Sequence, residues 1–244
     1  MMVQNSRSLL IFDFDHSLIE CNSDPWVVDH LGISELMHSM RRHSLSWTDL
    51  MDRMMMEVTA RGKSIVDIQD ALKRIPVEPA MINAIKNAHS WGWELQIISD
   101  ANSFFIQTVL SNNHIDQYFT RIHTNPAFVD EKGVLRIQPY WKSPAHQCPL
   151  CPSNMCKGMI LDGIRTDPHF ENYQTIYIGD GGGDYCPSLR LHCGDHVLAR
   201  QGYPLLRLLE STNQRIKAQV HSWSSAVDVE SCLHQLYSIK QNIH

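Results

Sequence analysis

Short apolar runs alternate along this chain with longer stretches in which apolar residues recur every three or four positions. The first run, Leu9-Leu10-Ile11-Phe12, is too short for a helix and reads as a buried strand. Further runs predict strands at 93–98, 175–178 and 196–199, with shorter ones at 121–124 and, as an outer strand, 135–139. Residues 26–75 carry helical spacing and no convincing strand, in segments 33–38, 50–58 and 65–75, and Pro76 and Pro79 close the region. Helical spacing returns at 81–89, 104–110 and 155–165, whereas the Pro- and Cys-rich stretch 139–152 reads as a loop. Strands alternating with helices predict an α/β fold on a doubly wound parallel sheet. The all-helical stretch after the first strand then becomes an inserted cap, leaving 1–20 and 80–244 as the core and 21–79 as the insertion.

The polar residues that end these strands carry the chemistry. Asp13 and Asp15 follow the first strand, where open α/β sheets place their ligand sites. Two acids so close repel one another unless a cation or a shared proton relieves them. On this segment alone, a plain N-cap of the next helix explains them equally well. After the strand at 175–178 comes Gly179-Asp180-Gly181-Gly182-Gly183-Asp184, two carboxylates in a loop almost without side-chain bulk. Glycines allow positive φ and close backbone approach, so a tight turn could aim both acids at one point. Hard oxygen ligands arranged in that way suit Mg²⁺. Ser99, at the end of the strand at 93–98, and Lys157, opening the helix after the Cys-rich loop, are candidates for holding an anionic oxygen. Each alone reads more readily as a helix cap or a solvated lysine. Together with the four acids they describe a phosphate–magnesium site.

Composition narrows the class. The 244 residues are 43% apolar and 19% charged, ordinary for a globular protein large enough to bury a sizeable core. A net charge of −5 gives no electrostatic footprint for nucleic acid. No run of about 18 apolar residues is present to span a membrane, and a strand starting near Ser8 leaves no room for a leader. The expectation is a cytoplasmic protein whose partner is a small molecule rather than nucleic acid or membrane. Seven cysteines, an odd number, do not predict a disulfide framework. Cys148, Cys151 and Cys156 form a C-x2-C-x4-C cluster that reads as half of a zinc site with His146 as fourth ligand, or simply as small apolar residues.

Asp13-Phe14-Asp15-His16-Ser17, Ser99, Lys157 and Gly179-Asp180 through Asp184 occur in the order of the four motifs of the haloacid dehalogenase superfamily, which the chain resembles. The strings Asn22-Ser23-Asp24-Pro25-Trp26, Ser99-Asp100-Ala101-Asn102, Asn154-Met155-Cys156-Lys157-Gly158 and Asp184-Tyr185-Cys186-Pro187 are similar to those of its phosphoethanolamine/phosphocholine phosphatase-like family. That family includes pyridoxal phosphate phosphatases and plant thiamine phosphate and pyrophosphate phosphatases, the thiamine phosphate phosphatase-like branch being nearest in texture. The resemblance implies a Rossmann-like core with a C1-type cap.

It also implies that Asp13 is the nucleophile and Asp15 the general acid and base, with Ser99 and Lys157 binding the phosphoryl group. Mg²⁺ would be held by Asp13, the backbone carbonyl of Asp15 and Asp180, with Asp184 bound directly or one step removed. Asp24 and Asp100 would face a cationic or heterocyclic substrate such as thiamine monophosphate, pyridoxal phosphate, phosphoethanolamine or phosphocholine. Alternatively Asp24 caps the helix at 26–31 with Pro25 in its first turn, and Trp26 and the methionines at 51–56 are interior of the cap. His16 departs from relatives that carry Glu, Lys, Arg or Ser there, so the local charge depends on pH. Inorganic pyrophosphate hydrolysis, phosphotransfer to an acceptor and phosphate binding without turnover are the other readings. An intact Asp15 speaks against the last, because only turnover needs a general acid.

Overall fold

A computed structural model describes residues 7–42, 45–142, 146–211 and 216–242. Strand β1 (Ser8–Phe12) is buried at every position, as a central parallel strand covered on both faces must be. A wide turn, Phe14–Leu18, follows and is closed by the Ile19 N–H donating to the Phe14 carbonyl at 3.1 Å. Four helices come next: α1 (Ser23–His30), α2 (Ser34–Met40), α3 (Trp47–Ala60) and α4 (Ile65–Leu72). Their starts are written locally. Asn22 caps α1, Ser46 caps α3, and Ser64 and Asp67 form a reciprocal capping box on α4.

The chain then runs through α5 (Pro79–Ser90), β2 (Glu94–Asn102), α6 (Ser103–Asn112) and β3 (Phe119–Asn125). A small hairpin, β4 (Ala127–Val129) and β5 (Leu135–Ile137), precedes the loop to α7 (Lys157–Arg165). β6 (Gln174–Gly179), α8 (Tyr185–Arg190), β7 (His196–Arg200), α9 (Pro204–Ser211), β8 (Gln219–Trp223) and α10 (Ala226–Asn242) complete the order.

The main sheet has the order β3-β2-β1-β6-β7-β8, and every pairing is parallel. Strand order reverses between β1 and β6, so their carboxyl ends flank the crevice where open α/β sheets bind ligands. The register places Phe12 beside Ile178, which brings Asp13 and Asp180 to the same edge. Alternation along β1 splits the core: Leu10 and Phe12 face one side of the sheet, Leu9 and Ile11 the other. Apolar residues of α1–α6 and α10 join the first cluster, and those of α7 and α9 the second.

Three expectations are corrected. Residues 135–137 are not an outer strand of the main sheet but pair antiparallel with β4 in a separate hairpin. Its Arg136 grips Asp52 of α3 bidentately, at 2.9 and 2.7 Å, and Asp52 also accepts the Ile137 N–H at 2.8 Å. Strand β2 does not end at Ser99-Asp100 but continues to Asn102, with a register shift against β3 between Ile98 and Asn102. Finally, none of Gly181, Gly182 and Gly183 has a positive φ.

Candidate active site

The turn after β1 sets the first two acids differently. Asp13 is 5% exposed, and its Oδ1 accepts both the Phe14 N–H at 2.7 Å and the Lys157 ammonium at 2.8 Å. The cap reading and the site reading therefore hold together for one carboxylate. Asp15, half-buried, accepts the Ser23 N–H at 2.8 Å, which ties it to the start of α1. His16, directly after Asp15, sits in the left-handed region at φ +54°, and its carbonyl accepts from Arg200 at 2.6 Å. The buried Arg200 of β7 thus pins the turn that carries both acids.

The second acidic pair belongs to the turn after β6. Asp180 accepts from the Ser17 hydroxyl at 3.2 Å. Asp184 is fully buried and saturated. Its Oδ1 accepts from Lys157 at 2.9 Å and from the Tyr177 hydroxyl at 2.8 Å, while Oδ2 accepts the N–H groups of Asp180 at 3.1 Å and Gly181 at 2.9 Å. What this turn requires of glycine is space rather than positive φ. A Cβ at Gly179 would lie 2.6 Å from the Asp184 carboxyl carbon and 2.7 Å from Oδ2. Lys157 begins α7, whose N-cap is Cys156, and so reaches across to β1 and β6 at once.

Burial first, and then the charge of Asp184, push the Asp13 carboxyl well above the ordinary carboxylate range, although Lys157 opposes them. The same two causes bring Asp180 to about 7. Desolvation works against the Lys157 ammonium, but Asp13 and Asp184 outweigh it and hold its pKa well above normal. Oxygens of Asp13, Asp180 and Asp184 lie within 4.8 Å of one another. Three buried carboxylates facing one ammonium leave an excess of negative charge, and an all-oxygen donor set of this kind fits Mg²⁺.

Ser99 is fully buried, its hydroxyl accepting the Ala101 N–H at 3.2 Å. Asp24 is 4% exposed and does not cap α1; Asn22 does, accepting the Asp24 N–H at 3.0 Å. Asp24 Oδ2 instead accepts from the Trp47 indole of α3 at 2.6 Å, and Oδ1 has no hydrogen-bond partner among the described residues. Desolvation, opposed by that indole bond and aided by the charge of Asp100, raises Asp24 to about 7. Asp100 is exposed, and its charge is felt by Asp13, Asp15, Asp24 and Lys157. All eight residues singled out in the sequence therefore gather around one edge of the sheet. Trp26 is committed elsewhere, donating to the Ala71 carbonyl at 2.9 Å and stacking on His30. Met51, Met54 and Met55 are interior, while Met56 is exposed.

The model of the family described as "Putative Phosphatase" matches residues 8–237. The chain belongs to this family of haloacid dehalogenase-type phosphatases. It is 44% identical over 237 residues to a thiamine phosphate phosphatase-like protein of Arabidopsis thaliana, covering 96% of each chain. With inorganic pyrophosphatase 2 of the same plant it shares 41% identity, over 96% of this chain and 85% of the relative. A human pyridoxal phosphate phosphatase is 34% identical, over 93% of this chain and 97% of the relative. A solved phosphoserine phosphatase, in a substrate-bound complex, shares the fold with a TM-score of 0.61 at 15% identity, covering 93% of this chain and 98% of its own. The phosphatase is thus a hydrolase with the α/β fold of the haloacid dehalogenase type, and no helix among its described residues is long and apolar enough to cross a membrane.

Several residues around the site were not singled out in the sequence. Tyr177, Trp47 and Arg200 hold Asp184, Asp24 and the Asp13–Asp15 turn in place. Tyr177 carries a signal: it is a hydroxyl between the apolar Ile176 and Ile178, two positions before the end of β6. Trp47 and Arg200 carry none, because their partners lie 23 and about 184 positions away.

Proposed function

We propose that this phosphatase is a Mg²⁺-dependent phosphomonoesterase acting on a small phosphate ester with a cationic or heterocyclic body, in the class of thiamine monophosphate, pyridoxal phosphate, phosphoethanolamine or phosphocholine. The observation that carries the reading is the position of Lys157, bridging Asp13 and Asp184 beside Asp180 at the switch point of the sheet. Asp13 and Asp180 would hold the ion together with the backbone carbonyl of Asp15. Asp184, its acceptor positions filled by protein donors, orients Lys157 rather than the ion. When bound, Mg²⁺ screens the repulsion between the phosphate and the attacking carboxylate.

A carboxylate oxygen of Asp13 forms a bond to phosphorus as the ester P–O bond breaks, and Asp15 gives its proton to the leaving oxygen. Desolvation, then the charge of Asp24, place the Asp15 carboxyl at about 8, so it carries that proton at neutral pH. Water then attacks the aspartyl-phosphate, Asp15 takes the proton, and Asp13 is released. Lys157 and Ser99 hold phosphoryl oxygens throughout. The unpartnered Oδ1 of Asp24 and the exposed carboxylate of Asp100 supply negative charge for the cationic part of the substrate. Residues 21–79 form the cap over this site, and 1–20 with 80–244 the core.

A second reading, hydrolysis of inorganic pyrophosphate, is favoured by the 41% identity to a plant pyrophosphatase. One experiment separates them: phosphate release with Mg²⁺ from the four esters and pyrophosphate, in the wild type and in Asp13→Asn. The proposal expects turnover of one of the esters above pyrophosphate, and loss of turnover in Asp13→Asn. Preference for pyrophosphate would transfer the assignment, and activity retained by Asp13→Asn would sink the covalent scheme.

A further inference from the structure

The sulfur atoms of Cys148, Cys151, Cys156 and Cys186 converge on one point. All four lie within 4.8 Å of one another, with Cys186 Sγ at 3.7 Å from Cys148 Sγ and 3.6 Å from Cys156 Sγ. Zinc–thiolate bonds of about 2.3 Å set the edge of a regular ZnS₄ tetrahedron at about 3.8 Å. The two separations from Cys186, 3.7 and 3.6 Å, match that edge, and the rest lie within 4.8 Å, whereas a disulfide would draw two of the sulfurs to about 2.05 Å and leave the other two without a role. We propose that these four cysteines bind a structural Zn²⁺ ion.

The sequence expectation of His146 as fourth ligand is overturned by the fold. The His146 ring is engaged with the Pro152 carbonyl at 2.7 Å and with the Cys148 N–H at 3.2 Å. Cys186 replaces it, 30 positions beyond Cys156, because α8 packs directly against α7. That approach is close enough that a Cβ at Gly158 would stand 2.6 Å from Cys186 Sγ.

The surroundings suit a tetrathiolate. The Met159 N–H donates to Cys156 Sγ at 3.4 Å, and the backbone at Leu150 bonds to Cys148. The Arg190 guanidinium bonds to Cys186 and offsets part of the negative charge that four thiolates leave on a divalent ion. On binding, four S–H bonds lose their protons to solvent and four Zn–S bonds form. Tetrahedral sulfur ligation selects zinc over the oxygen-seeking Mg²⁺ of the neighbouring acids, so the two ions do not compete. The zinc would fasten the loop before α7 to α7 and α8, next to Lys157 and Asp184.

The test is metal analysis of the full-length wild-type protein, followed by cobalt substitution and two single variants. Expected are one zinc per chain, the visible bands of tetrahedral thiolate-bound cobalt, loss of bound zinc in Cys186→Ser and its retention in His146→Ala. After chelation, four more thiols should react with a thiol reagent than before. The wild-type measurements stand even if Cys186→Ser fails to fold. Metal-free protein with all its thiols already reactive, a disulfide among the four, or stoichiometric iron in place of zinc would each overturn the proposal. So would zinc lost from His146→Ala.

Discussion

Asp184 fills all four acceptor positions of its carboxylate with donors from the protein, and it does so at full burial. An amide in its place would set an N–H₂ group against either the Lys157–Tyr177 pair or the two backbone N–H groups. The Asp184→Asn variant should therefore lose stability on the order of 3–5 kcal/mol, the cost of breaking a buried charged network. Urea unfolding at neutral pH checks this; a loss below about 1 kcal/mol would show that the network relaxes around the amide. At this scale the sequence discloses residue types at strand ends but not the direction in which they point. Asp13 and Asp180 are legible because each follows an apolar strand, and the two strands are neighbours in the sheet, whereas Lys157 is marked by opening the helix after the Cys-rich loop. For Asp24 the sequence leaves a substrate-facing role and an N-cap both open, because Asp-Pro at a helix start is also an ordinary cap signal. The indole that claims it arrives from another helix, and nothing local announces it.

Two histidines illustrate what whole elements add. His196 of β7 is buried, and its Nδ1 lies 2.9 Å from Nε2 of His221 on the adjacent β8, while Asp195 and Lys240 also act on it. Burial, and then the neighbouring imidazole, lower His196 to about 4, and burial lowers His221 as well. Below the ordinary imidazole pKa of about 6.5 the unfolded chain takes up protons that the folded pair refuses. The contribution of this pair to stability should thus be intact above pH 6.5 and be lost as pH drops toward 4, by on the order of 3 kcal/mol for His196, against the opposite trend of the raised Asp15, Asp24 and Asp180 carboxyls. Urea unfolding at pH 7 and pH 5 in the wild type and in His196→Gln measures it: the variant should lose less, or gain more, stability than the wild type on going to pH 5, and the same change in both would move the acid sensitivity to another group.

The pair also shows why β8 was not legible. Gln219-Val220-His221-Ser222-Trp223 is an edge strand in which only Trp223 is buried, so it lacks the apolar run that marks β1, β2, β6 and β7. The three-residue β4 is too short to show a period. The case of α10 differs: Ala226, Val229, Leu233 and Leu236 line its buried face at helical spacing, a signal present in the chain and not used.

Across the whole molecule, the helices at 23–72 are a separate stretch of sequence without a separate interior. Val27, Val28, Met51, Met54, Val58 and Ile68 belong to the same apolar cluster as Phe12, Leu95 and Ile97 of the sheet. Asp52 of α3 is clasped in addition by Arg136 and Ile137 of the hairpin. A unit that shares its core with its host unfolds with it, because exposing one side of a shared interface strips the other. Met54 is fully buried in that cluster, so Met54→Ala should cost about 2–5 kcal/mol through lost contact and the cavity left behind. The global reading makes a sharper demand than the size of the loss. Far-UV circular dichroism weights helix throughout the chain, whereas tryptophan fluorescence reports Trp26 and Trp47 in the helical stretch along with Trp93 and Trp223 around the sheet. In the wild type both probes should trace one urea transition, and in Met54→Ala both midpoints should fall together. An early step in one probe, moved by Met54→Ala while the later step stays fixed, would mean that residues 23–72 unfold as a unit of their own.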